Sequence, residues 1–191
     1  MTGRTVLHKS VVLIGMMGAG KTAVGREIAR QLDLSFTDSD VEIETAANQT
    51  IAEIFARDGE AFFRQKEAQV IARLLNGPPG VLSVGGGAFL AAETRALIAQ
   101  SGVSVWLNVP LALLWARVRR KTTRPLLRTA DPRATLERML AERAPVYALA
   151  DLCVEVRPGD AVEATAERVI SVLTGVPGLM EGAPRQADGD G

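Results

Sequence analysis

Val11-Val-Leu-Ile14-Gly15-Met-Met-Gly-Ala-Gly-Lys21-Thr22 decides how the rest of this chain is read. Four consecutive apolar residues, Val11 to Ile14, stop at a glycine, which is the pattern of a short strand buried on both faces. The next eight residues, Gly15 to Thr22, match G-x-x-x-x-G-K-[ST]. Beyond them Val24, Ile28 and Leu32 recur at four-residue steps, so an amphipathic helix is predicted over Thr22–Leu32. A chance match to the loop in a chain this long has a probability of roughly one in a hundred, before the flanking strand and helix are counted. The chemistry accounts for the residue types. Glycines let backbone N–H groups turn inward around phosphate oxygens, and the helix start adds its positive end. Lys21 offers a point charge to the β- and γ-phosphates, and Thr22 offers a hydroxyl oxygen to Mg²⁺. Gly18, Ala19, Gly20, Lys21, Thr22 and Ala23 are the candidate nucleotide-binding residues, with ATP or GTP as the ligand.

Outward from this loop, strands and helices alternate. Strands are predicted at Leu34–Thr37, Val81–Val84, Val103–Val109 and Leu152–Val156. Helical patterns cover Val41–Leu75 with a break at Gly59, then Ala91–Gln100, Leu111–Arg120, Ala134–Ala144 and Ala161–Leu173. Gly77-Pro-Pro-Gly80 is a stop, Gly85-Gly-Gly87 an unusually tight loop, and Thr122–Asp131 a basic loop. Such alternation predicts an α/β fold with a parallel sheet covered on both faces. From Gly175 onward, Gly, Pro, Asp and Ala without periodicity predict a disordered tail over 175–191, leaving 1–174 as a single domain.

Composition narrows the function classes. The chain has 191 residues, 47% apolar and 23% charged, the usage of one ordinary globular domain. Lys plus Arg equals Asp plus Glu at 22 each, so no global field invites nucleic acid or an anionic membrane. The single cysteine, Cys153, excludes a disulfide framework and is expected as a buried strand residue. The single histidine, His8, is expected in an exposed N-terminal arm, which leaves no Ser-His-Asp arrangement in the body of the chain. Arg4, His8 and Lys9 precede an apolar run too short for a secretory signal, so a cytoplasmic, monomeric protein is expected.

The strand at Val81–Val84 ends in glycines rather than in the acid that often holds Mg²⁺ in phosphate-loop proteins. Asp38 and Asp40, at the end of the second predicted strand, are the candidates instead. In extended backbone both would face one cleft, with Asp38 in the Mg²⁺ shell and Asp40 on the attacking hydroxyl. Ser39-Asp-Val-Glu42 also has capping-box spacing, and on that reading Asp40 only favours a helix dipole.

Six motifs in order carry a resemblance: Gly15 to Thr22, Asp38-Ser-Asp40, Phe63-Arg64 with Glu67, Gly85-Gly-Gly87, Arg124-Pro-Leu-Leu127 and Arg143-Ala-Pro-Val-Tyr147. From about Val11 to about Leu173 the chain resembles shikimate kinases. The resemblance implies a nucleoside-monophosphate-kinase-like phosphate-loop fold of three α/β/α layers. It also implies a five-stranded parallel sheet, a lid at about 119–131 and a substrate-binding helical region at about 41–76. It implies ATP and Mg²⁺, a small-molecule acceptor and a place in aromatic amino acid biosynthesis. Asp40, Arg64, Gly85, Gly86, Gly87 and Arg143 would bind shikimate, with Phe55 and Phe63 near its ring. Thr22 would bind Mg²⁺, and Arg124 would reach ATP from the lid. Lys21, Asp40 and Arg124 would be the catalytic set.

The residues suit that acceptor: two arginines for a carboxylate, one carboxylate for a hydroxyl, and glycine backbone for close approach. Glu67, three residues after Arg64, is placed to orient it. The alternative is another small-molecule kinase, such as a gluconate kinase, with the same loop and a different acceptor pocket. Arg117, Arg119, Arg120, Lys121 and Arg128 lie near the expected lid without the interleaved aromatics that nucleic acid would call for.

Overall fold

The structure, a computed structural model, describes residues 5–119 and 125–182. Its strands are β1 (Val6–Leu7), β2 (Ser10–Ile14), β3 (Phe36–Asp38), β4 (Val81–Ser83), β5 (Gly102–Asn108), β6 (Leu152–Glu155) and β7 (Met180–Glu181). Its helices are α1 (Lys21–Leu32), α2 (Ser39–Ala47), α3 (Ile51–Leu75), α4 (Ala92–Ser101), α5 (Leu111–Val118), α6 (Pro132–Tyr147) and α7 (Val162–Thr174). Five strands form one parallel sheet in the order β3-β4-β2-β5-β6. All five residues of β2 are buried because it pairs on both edges and is covered on both faces. Helices α1 and α7 pack together on one side of the sheet, and α3 and α4 on the other, giving three layers.

The helical region after β3 packs partly on itself. Ile43, Ile54 and Phe63 form a buried cluster separate from the main core, with Ile51, Phe55 and Val70 against it. Thr50 and Glu53 make a reciprocal capping box that starts α3. Gly59, at φ 82° and ψ 172°, breaks that helix where sequence analysis expects a break.

Three expectations are corrected. Helix α6 continues through Pro145 to Tyr147, rather than stopping at Ala144. Proline removes one helical hydrogen bond, but Ala148 N still donates to Ala144 O at 2.9 Å, and Tyr147 is fully buried. Cys153 is exposed, because β6 is the edge of the sheet and its residues alternate between the two faces. The segment expected as tail is ordered over its first part: Leu179 is buried in the main core, and β7 pairs antiparallel with β1. His8 N donates to Leu179 O at 2.9 Å, and His8 lies 3.3 Å from Glu181. A two-residue strand held by one buried leucine leaves no periodicity to read. Residues 183–191 lie outside the described residues. Among those described, no helix is long and apolar enough to cross a membrane.

Candidate active site

The phosphate loop joins the C-terminal end of β2 to α1, which places its amides beside the sheet's carboxyl edge. Gly20, the residue before α1, adopts φ 92°, a left-handed conformation that an L side chain resists. No side chain caps this helix, and its first residues, Lys21 to Val24, line the cleft. Lys21 Nζ donates to the carbonyls of Gly15 at 2.9 Å and Met16 at 3.1 Å. Thr22 Oγ1 donates to Asp38 Oδ2 at 2.6 Å. Asp38 ends β3 and caps α2, its Oδ1 accepting from Asp40 N at 3.0 Å. The cap is therefore Asp38 rather than Ser39, and Asp40 sits in the first helical turn instead of an extended stretch. Asp40 nevertheless faces the cleft.

Two cavities meet there. One, of about 510 Å³, is lined by Gly18 to Thr22, Ala23, Asp38 and Asp40, and further out by Arg117, Val156, Val162 and Thr165. The other, of about 500 Å³, brings together Asp40, Phe55, Phe63, Arg64, Gly85, Gly86, Gly87 and Arg143. Asp40 and Met17 line both. The predicted site residues inside the described region line one or other of these cavities, the members of the second coming from four separate stretches of sequence. Arg124 lies outside the described residues. Leu126 and Arg128, just after it, line the second cavity.

Two of the three glycines in Gly85–Gly87 are explained by close approach. A β-carbon at Gly85 would stand 2.5 Å from Glu67 Oε1 and 2.9 Å from Asp40 Oδ1, and one at Gly87 would collide with the Arg64 guanidinium. Arg64 Nη1 donates to Glu67 Oε2 at 2.7 Å, and Nη2 to Glu60 Oε1 at 3.1 Å. Burial opposes the Arg64 charge, but the two carboxylates outweigh it and raise its pKa. Glu67 is 2% exposed, and desolvation, helped by Asp40, raises its carboxyl above the usual range despite Arg64. The asymmetry is physical: Arg64 has two acidic partners, while Glu67 bears the cost of burial. Glu67 Oε1 has no hydrogen-bond partner among the described residues.

Sequence reading missed three residues. Arg117 Nη1 donates to Gly18 O and Ala19 O, both at 3.2 Å, and lines the first cavity. Met17, assigned no function, forms part of the partition between the cavities. Tyr147 O–H donates to Gly86 O at 2.5 Å. Arg117 was legible only as one of several basic residues near a loop, and Tyr147 only as the end of a motif.

A phosphate loop at the carboxyl edge of a parallel sheet, opening through one shared carboxylate into a chamber with three arginines, defines a small-molecule kinase. A family profile described as shikimate kinase matches residues 17–174. A shikimate kinase from Ruegeria pomeroyi is 58% identical over 179 residues, covering 94% of this chain and 92% of its own. One from Cereibacter sphaeroides is 61% identical over 175 residues, covering 92% and 87%. The solved shikimate kinase from Acinetobacter baumannii, in complex with shikimate, superposes with a TM-score of 0.84 at 37% identity, covering 87% of this chain and 93% of that one. The chain belongs to the shikimate kinase family, whose kinase activity uses ATP as co-substrate.

Proposed function

We propose that this chain transfers the γ-phosphoryl group of ATP to the 3-hydroxyl of shikimate, yielding 3-phosphoshikimate and ADP. The observation that carries the reading is the position of Asp40 on the wall common to both cavities. On this reading the phosphate-loop amides and Lys21 hold the β- and γ-phosphates, and Arg64 and Arg143 grip the acceptor's carboxylate. The backbone of Gly85 to Gly87 and the rings of Phe55 and Phe63 shape the space around the sugar-like ring. Asp40 accepts a hydrogen bond from the attacking hydroxyl and takes its proton as the new O–P bond forms and the bond to the leaving ADP oxygen breaks.

The residues present fit Mg²⁺. Thr22 Oγ1 and Asp38 Oδ2, two hard oxygen donors, lie 2.6 Å apart beside the loop. Among the described residues no group of three or more His, Cys, Asp or Glu could cage a metal alone. That suits an ion which keeps most of its shell as water and phosphate oxygen. When bound, it offsets negative charge on the phosphates.

A coupled ADP-release assay with shikimate, gluconate and nucleoside monophosphates tests the reading. Turnover is expected with shikimate and not with the others; none with shikimate rejects it.

A further inference from the structure

Three parts of the site meet at one buried phenol. Tyr147 is fully buried and lies one helical turn after Arg143 on α6, so both project from the same face. Its O–H donates to Gly86 O at 2.5 Å, and Met16 Sδ lies 3.7 Å from the same oxygen. The Arg143 guanidinium is near enough for its charge to pull the phenol's pKa down against burial. Gly86 in turn lies against the phosphate loop: a β-carbon there would stand 3.3 Å from Gly15 O, 3.5 Å from Met17 N and 3.7 Å from Arg143 Nη1. A phenol has one proton to give, and the Gly86 carbonyl takes it. The ring is held against Trp106, with centroids 6.0 Å apart. Burial raises the phenol's pKa, so the O–H remains a donor.

We propose that Tyr147 is a positioning residue for phosphoryl transfer. It locks the Gly86 peptide to α6, the helix that carries Arg143, beside the phosphate loop, and so sets the register between the acceptor hydroxyl and the γ-phosphate. Tyr147 lines neither cavity, so it acts through these groups and not on a ligand. The inference rests on the chamber's being the acceptor pocket.

Tyr147→Phe keeps the ring and removes the joint. The expected result is a KM for shikimate raised about tenfold and a kcat lowered about tenfold, since small misplacements at a reacting centre cost rate steeply. The KM for ATP should stay within about twofold, because only acceptor-side groups lose their hold. Ile98→Val, in the buried core of α4, measures what bare destabilisation does, and should move neither acceptor parameter. A Tyr147→Phe enzyme with lowered Tm but unchanged acceptor KM and kcat overturns the proposal. The chain holds one tyrosine, so ring-fluorinated tyrosine labels this position alone and leaves the hydroxyl in place. Saturating shikimate should then shift the single fluorine NMR resonance. A resonance that shikimate leaves unmoved overturns the proposal even where Tyr147→Phe does not fold. Wild-type turnover measured alongside separates the two claims: its absence removes the acceptor assignment, and its presence beside a kinetically normal Tyr147→Phe removes this inference alone.

Discussion

The phosphate loop and the acceptor chamber sit side by side, share Asp40 and Met17, and enclose nearly equal volumes, about 510 and 500 Å³. They are built in opposite ways. The loop is eight consecutive residues whose working groups are backbone amides, one ammonium and one hydroxyl, oriented by the strand and helix at its ends. The chamber draws on α2, α3, the triple glycine and α6, and its working groups are side chains brought together from segments distant in sequence. Glu67 holds Arg64, Gly87 makes room for it, and Tyr147 ties Gly86 to α6, the helix that carries Arg143. A locally built site fails through its own residues. A site assembled from distant segments fails through its supports as well, and can lose one ligand while keeping the other.

Four measurements test that contrast, in descending order of effect on turnover. Lys21→Met should lower kcat by on the order of 10²–10³ with any acceptor, because a charge aimed at the transferring phosphates is lost. Unchanged kcat there would remove the phosphate-loop mechanism. Arg64→Met should raise the KM for shikimate by about 10- to 100-fold, the scale of one lost charge-assisted hydrogen bond. Calorimetry should find ATP affinity nearly unaltered, whereas equal weakening of both ligands would show that the two cavities do not function separately.

Glu67→Gln sharpens the comparison through pH. The folded chain binds the Glu67 proton with a raised pKa, over a window where the unfolded chain has already lost it. Stability therefore falls as pH climbs from the ordinary carboxylate range through the raised value. Thermal unfolding of Glu67→Gln against pH should show a shallower fall than the wild type. An identical pH profile contradicts the role of desolvation at this carboxyl. Leu179→Ala should have the smallest catalytic effect, leaving both KM values alone while costing about 2–5 kcal/mol of stability from the cavity it opens. A changed acceptor KM would mean that the terminal strand pair communicates with the chamber.

Much of the fold was legible because its signals are local. Val11–Ile14 read as a buried strand and Thr22–Leu32 as a helix, and β2 and α1 fall within a residue of those bounds. Gly59 and Gly77 to Gly80 marked breaks that the backbone respects. The errors share a cause. Pro145 argues locally for a helix end, yet burial of Tyr147 carries α6 past it, and that extra turn brings the phenol to Gly86. The Gly- and Pro-rich composition after Thr174 argues locally for disorder, yet Leu179 finds a place in the core. In both cases tertiary burial overrode a local preference.

Sequence by itself determined the alternating α/β order, the phosphate loop and the identities of the acidic and basic residues around it, because short-range periodicity and contiguous motifs express them. Only the tertiary structure decided that Asp40 stands between two cavities, that Glu67 is buried against Arg64, and that a single tyrosine joins three segments of the site. Those facts depend on which distant residues share a small volume, and desolvation and hydrogen-bond satisfaction are properties of that shared volume and not of any stretch of chain.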